Sequence, residues 1–155
     1  MDDLVTFLLA RLDEDEQAAL DASWDGYDSG RWTAHHHEQH DGQWVVIDCH
    51  DKAVTGVDAQ AANDAAVAHH IARHDPARVL QEVGARRVIL VEYATMCRLR
   101  DEAVARIEAA GDAPAADDLD AWERTQQEVS VLEGPVRLLA LTHGDHPDYR
   151  EDWRP

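Results

Sequence analysis

Ten histidines and 32 carboxylates carry most of the chemistry this 155-residue chain could perform, and they are unevenly spaced. His70 and His74 stand one helical turn apart, an i, i+4 pair whose imidazoles can share a transition metal. His143 and His146 follow in the C-terminal tail beside Asp145 and Asp148, and they complete a mixed site only if the tail returns to residues 70–74. No motif demands a cofactor, but Zn²⁺ is the ion such a set would take, and a metal-dependent hydrolase is its enzymatic reading. The structural reading leaves His69 and His70 in solvent and His74 packed or hydrogen-bonded just ahead of a helix cap. A second group, His35, His36, His37, His40 and His50, falls in a strand–turn–strand region and reads as an adventitious binder of Ni²⁺ or Zn²⁺. Asp13 and Glu16 share a helix face, where paired acids hold Mg²⁺ or are simply solvated. The sequence reads as having no Gly-rich phosphate loop, no GxSxG elbow and no Cys–His arrangement.

The elements that must position these residues centre on Asp75-Pro76. Asp is a preferred N-cap, and Pro suits the first helical turn while pushing its predecessor out of the α region. From Pro76, apolar residues at Val79, Leu80, Val83, Leu90, Tyr93, Cys97, Val104 and Ile107 recur every three or four positions, predicting one long helix over 76–109 that Gly111 ends. Leu119, Trp122, Val129 and Leu132 predict a returning helix over 117–133, with Gly134-Pro135 breaking or kinking it before a segment over 136–155. Leu4, Phe7, Leu8 and Leu12 predict an N-terminal helix over 3–22. Between these lie a short-strand meander over 31–57, with Asp41-Gly42 as a hairpin turn, and an Ala-rich helix over 59–73 capped by Asp58. The expected fold is a single α+β domain, mostly helical, in which a long helical hairpin and the N-terminal helix pack with a small antiparallel hairpin or meander. The tail HPDYREDWRP pairs Tyr149 and Trp153 with Arg150 and Arg154. It is expected to dock, and to touch the first turn of the central helix.

Charge narrows the function. Acids outnumber bases 32 to 14, the formal net charge is −18, and Lys52 is the only lysine. Such a chain is not expected to bind nucleic acid or an anionic membrane directly. Its charge suits either a basic protein partner or an acidic surface kept for solubility. Cys49 and Cys97 lie far apart without CxxC spacing and read as reduced thiols. With no signal-peptide pattern and no long apolar run, the expected location is the cytoplasm. The expected role is that of a non-enzymatic acidic interaction protein binding a basic protein surface, with metal binding through His70, His74, His143 and His146 as the alternative.

Three stretches carry a resemblance: MDDLVTFLLARLDEDEQAA at the start, HIARHDPARVLQEV in the middle and RLLALTHGDHPDYREDWRP at the end. Together they resemble an uncharacterised family of small proteins, a domain of unknown function (the 6221 family). The resemblance implies one intact domain and an actinobacterial or actinophage source, and it brings no catalytic residues. Gly84-Ala85 and Thr142-His143 depart from the family's pattern without touching any known site.

Overall fold

The computed structural model describes residues 3–24, 28–37, 43–58 and 63–155. In chain order it has helix α1 (Asp3–Asp21), strands β1 (Trp32–His37), β2 (Gln43–Asp48) and β3 (Ala53–Val57), and helices α2 (Asp64–Arg73), α3 (Pro76–Ala110) and α4 (Ala116–Leu141), closing with a 3₁₀ turn at Glu151–Trp153. The chain is α+β. It forms two compact units, one of Leu12–Ala85 and one of Met1–Arg11 with Arg86–Pro155.

In the first of these units the strands form an antiparallel meander in the order β1-β2-β3, with Trp32 opposite Asp48 and His36 opposite Trp44. Alternation decides which face is buried. Val46 and Val57 are buried together with Ala68 of α2, and Trp32, Ala34, Trp44, Val67 and Ile71 pack around them. The cap of α2 is Asn63, whose side chain accepts the Ala66 N–H at 3.2 Å, and not Asp58. Asn63 lies three residues before that donor, whereas Asp58 would have required helix through 59–62, which lie outside the described residues. Asp41-Gly42 also lies outside them.

Asp75 is the N-cap of α3 and does more than cap it. One carboxylate oxygen accepts the Arg78 N–H at 2.7 Å and the other accepts the Trp32 N–H at 3.2 Å, tying the start of β1 to the start of α3. The Ala77 N–H donates to the Gly30 carbonyl at 3.0 Å. A Cβ on Gly30 would lie 2.8 Å from Ser23 Oγ and 3.3 Å from Pro76 Cβ, so any larger residue would have to turn the Ser23 hydroxyl aside and press on Pro76.

In the other unit α3 and α4 form the hairpin, closed near its tip by Arg106–Asp118 at 2.6 Å. Gly111, at φ +62, supplies the left-handed residue that ends α3. The expected break at Gly134-Pro135 does not occur, and α4 runs on to Leu141. Proline deprives the carbonyl four residues back of its donor. That residue is Val131, which is 68% exposed, a position where solvent can stand in for the missing donor, and the helix continues. Residues 136–141 therefore belong to α4, with Val136 and Ala140 buried.

The tail docks on α1. Phe7 meets Trp153 at 5.0 Å, His146 at 5.6 Å, His143 at 6.2 Å and Tyr149 at 6.3 Å between ring centroids. Trp153 is buried. Arg150 reaches Asp3 at 3.1 Å, and Arg137 of α4 donates to the Asp152 carbonyl at 2.8 Å. Within this unit the tail's partners are α1 and α4, whereas the first turn of α3 belongs to the other unit. The backbone N–H groups of that first turn have acceptors of their own in Gly30 and Asp75.

Candidate functional site

The four histidines proposed as metal ligands are divided between the two units, two in each. His70 and His74 lie at the end of α2 with ring centroids 4.6 Å apart, as i, i+4 spacing requires. His143 and His146 lie in the other unit, edge-on to Phe7, and His146 also shares a hydrogen bond with Arg11. Among the described residues no group of three or more His, Cys, Asp or Glu side chains is arranged to hold a metal ion. Of the second histidine group, His36 packs on one side of Trp44 at 5.5 Å, and His69 of α2 packs on the same indole at 5.3 Å. His40 lies outside the described residues.

The most elaborate polar cluster sits on the β2–β3 turn. Asp48 is buried, and its Oδ1 accepts the backbone N–H groups of His50 at 2.8 Å and Lys52 at 3.0 Å. Its Oδ2 accepts the Trp24 indole N–H at 2.8 Å. Burial, the largest single influence, pushes this carboxyl up. The three N–H donors and the neighbouring His50 together outweigh it and hold Asp48 below the usual aspartate range. Lys52 stands 3.8 Å above the Trp24 ring, and Cys49 Sγ lies 3.1 Å from His50 Nδ1. The sequence reading missed this Cys–His pair. Adjacent side chains on a strand point to opposite faces, and only the turn after Asp48 brings these two together.

The hairpin offers two surfaces. On the side toward α1, an open groove of about 880 Å³ is lined by Val5, Tyr93, Cys97, Arg100, Val129 and Glu133, among others. Its charges are internally matched. Arg100 bonds Asp101 at 2.7 Å, which raises the affinity of its guanidinium for the proton, and Arg98 bonds Glu102 at 2.6 Å. The second surface carries a shallower hollow of about 480 Å³ lined by Glu92, Met96, Arg124, Glu128 and Val131. Large apolar side chains stand exposed on these helices, Val88 at 67%, Val91 at 62%, Val131 at 68% and Leu138 at 57%. Asp120, Glu123, Glu128 and Glu92 are exposed among them, and no ion pair among the described residues engages these acids.

These elements define a small α+β protein whose most distinctive surface is an acidic and apolar helical hairpin. The chain belongs to DUF6221, a family of unknown function whose model matches residues 1–155. No curated protein and no solved structure matches it. Among the described residues no helix is long and apolar enough to cross a membrane.

Proposed function

We propose that the protein is an acidic interaction module whose α3–α4 hairpin receives a basic, amphipathic segment of a partner protein. The observation that carries this reading is the outward placement of Val131 and Leu138, seven residues apart on α4 and each more than half exposed. Two turns of helix place them on one stripe. Isolated exposed apolar residues need no explanation, but a stripe of them does, and α3 exposes Val88 and Val91 as well. The exposed Asp120, Glu123, Glu128 and Glu92 around it supply the sign of the partner. Complementary charge steers encounter, while the apolar contacts supply most of the affinity. A helical peptide with leucines at i, i+3 and i+7 and lysines elsewhere is the matching probe. Calorimetric titration should show binding that weakens with added salt and is lost in V131S/L138S. Binding that survives that double substitution, or absence of binding at low salt, would overturn the reading.

A second reading rests on the 4.6 Å spacing of His70 and His74, which suits two imidazoles sharing one Zn²⁺. Zinc titration of protein purified without a nickel column tests it. Equal affinity in the wild type and His70→Ala would eliminate it.

A further inference from the structure

We propose that the hollow on the α3–α4 hairpin is a pocket for one arginine side chain of the partner. This rests on the reading of the hairpin as the interaction surface, and it names the residue that anchors there. The hollow, of about 480 Å³, is built by both helices. From α3 come Glu92 and, one turn later, Met96, and from α4 come Arg124, Glu128 and Leu132 at successive turns, with Val131 beside them. Met96 and Leu132 are half-buried and supply an apolar floor, while Glu92 and Glu128 are exposed carboxylates, one on each helix. This matches the two parts of an arginine. Its methylene stem needs apolar surface, and a methionine adapts its shape to what packs on it. Its planar guanidinium carries N–H donors in several directions, so it can bond two carboxylates at once, whereas lysine offers a compact point charge.

The state of the carboxylates separates this hollow from the larger groove toward α1. There, Glu102 is held by Arg98, Asp101 by Arg100 and Glu133 by Arg137, so an incoming cation would have to displace a partner at each acid. In the hollow, no hydrogen bond or ion pair among the described residues engages Glu92 or Glu128. Arg124 is the internal competitor. It stands one turn before Glu128 on the same helix and lines the same hollow, yet among the described residues it forms no ion pair. An exposed pair at that spacing contributes little, so a guanidinium held by two carboxylates over an apolar floor displaces it. Arg124 thus weakens partner binding, and its removal should strengthen it.

The test is a citrulline scan. A helical peptide with leucines at i, i+3 and i+7 and arginines elsewhere is titrated calorimetrically into the full chain. Its arginines are then replaced one at a time by citrulline, which keeps the shape and removes the charge. The expected result is one dominant position, where citrulline weakens binding about ten-fold, and small losses at the others. The double variant Glu92→Gln with Glu128→Gln should erase that dominant position. Both glutamates are exposed, so the substitutions leave the packing intact. Arg124→Ala should tighten binding of the all-arginine peptide about two-fold. Met96 is one of only two methionines, so its isotopically labelled methyl signal is readily assigned and reports on the hollow directly. It should move with the all-arginine peptide and much less with the citrulline peptide of the dominant position. Uniform losses along the peptide, or a dominant position that persists in the double variant, would overturn the arginine pocket and leave the hairpin reading standing. No binding of the all-arginine peptide at low salt would overturn both.

Discussion

Replacing Asp75 tests the joint that ties the sheet to the long helix. Its two carboxylate oxygens accept two different backbone donors, Arg78 N–H at 2.7 Å and Trp32 N–H at 3.2 Å. Asp75→Ala removes both. Loss of the cap costs about 1 kcal/mol. Leaving the part-buried Trp32 N–H without an acceptor adds roughly 1–2 kcal/mol. The sum, about 2–3 kcal/mol, corresponds to a fall in melting temperature of roughly 5–10 °C for a chain of this size. Asp75→Asn separates the two roles. An amide has one oxygen, so it can keep the cap only by turning its NH₂ toward the Trp32 N–H, donor against donor. Asparagine should therefore lose about 1–2 kcal/mol, although a cap alone would tolerate it almost freely. Thermal and urea unfolding followed by far-ultraviolet circular dichroism measures both variants. An asparagine variant as stable as wild type would show that the Trp32 bond contributes nothing, and an alanine variant equally stable would remove the cap as well.

Asp48 should make the β2–β3 turn sensitive to acid. Its folded-state carboxyl lies below the usual aspartate range, so its contribution is complete above that range and is lost as pH falls through the lowered value. The Trp24 indole N–H resonance should shift below about pH 4 in wild type and show no such step in Asp48→Asn. Trp153→Ala should cost about 3–5 kcal/mol, and Phe7→Ala combined with it should cost less than the two separate losses added together, because the rings touch. Pro135→Ala should raise the melting temperature, since proline is roughly 3 kcal/mol worse than alanine inside a helix and this one is exposed. A lowered melting temperature would mean that the proline ring makes a contact the helix needs.

Local signals in the sequence predicted much of this architecture. The three- and four-residue apolar spacing from Pro76, the Asp75 cap and Gly111 define α3 to within a residue of its observed end, Ala110. The aromatic and β-branched run Trp44–Ile47 marks the central strand of the meander. The end of α4 was misread because proline is a reliable stop only where the orphaned carbonyl is denied water, and exposure at Val131 is a tertiary fact. The tail's aromatic content announced docking but not the ring it gathers on within its own unit. Phe7 reads as one more apolar residue of an amphipathic helix, and nothing local shows that four other rings gather on it. The Asp48 cluster was illegible for a similar reason. Its donors come from Trp24, 24 positions away, and from backbone groups whose direction only the folded turn fixes. The histidines show the opposite case, in which sequence spacing identifies a pair, His70 with His74, and says nothing of further ligands.

The measurement that most directly tests the account is a chemical-shift map of isotopically labelled protein titrated with the basic amphipathic peptide. The account predicts that amide signals along Val88–Glu92 and Glu128–Leu138 move progressively and saturate together, while those of the β2–β3 turn and of the tail around Trp153 stay in place. Shifts confined to the tail or the sheet, or a spectrum unchanged at low salt, would contradict the assignment of the hairpin as the interaction surface.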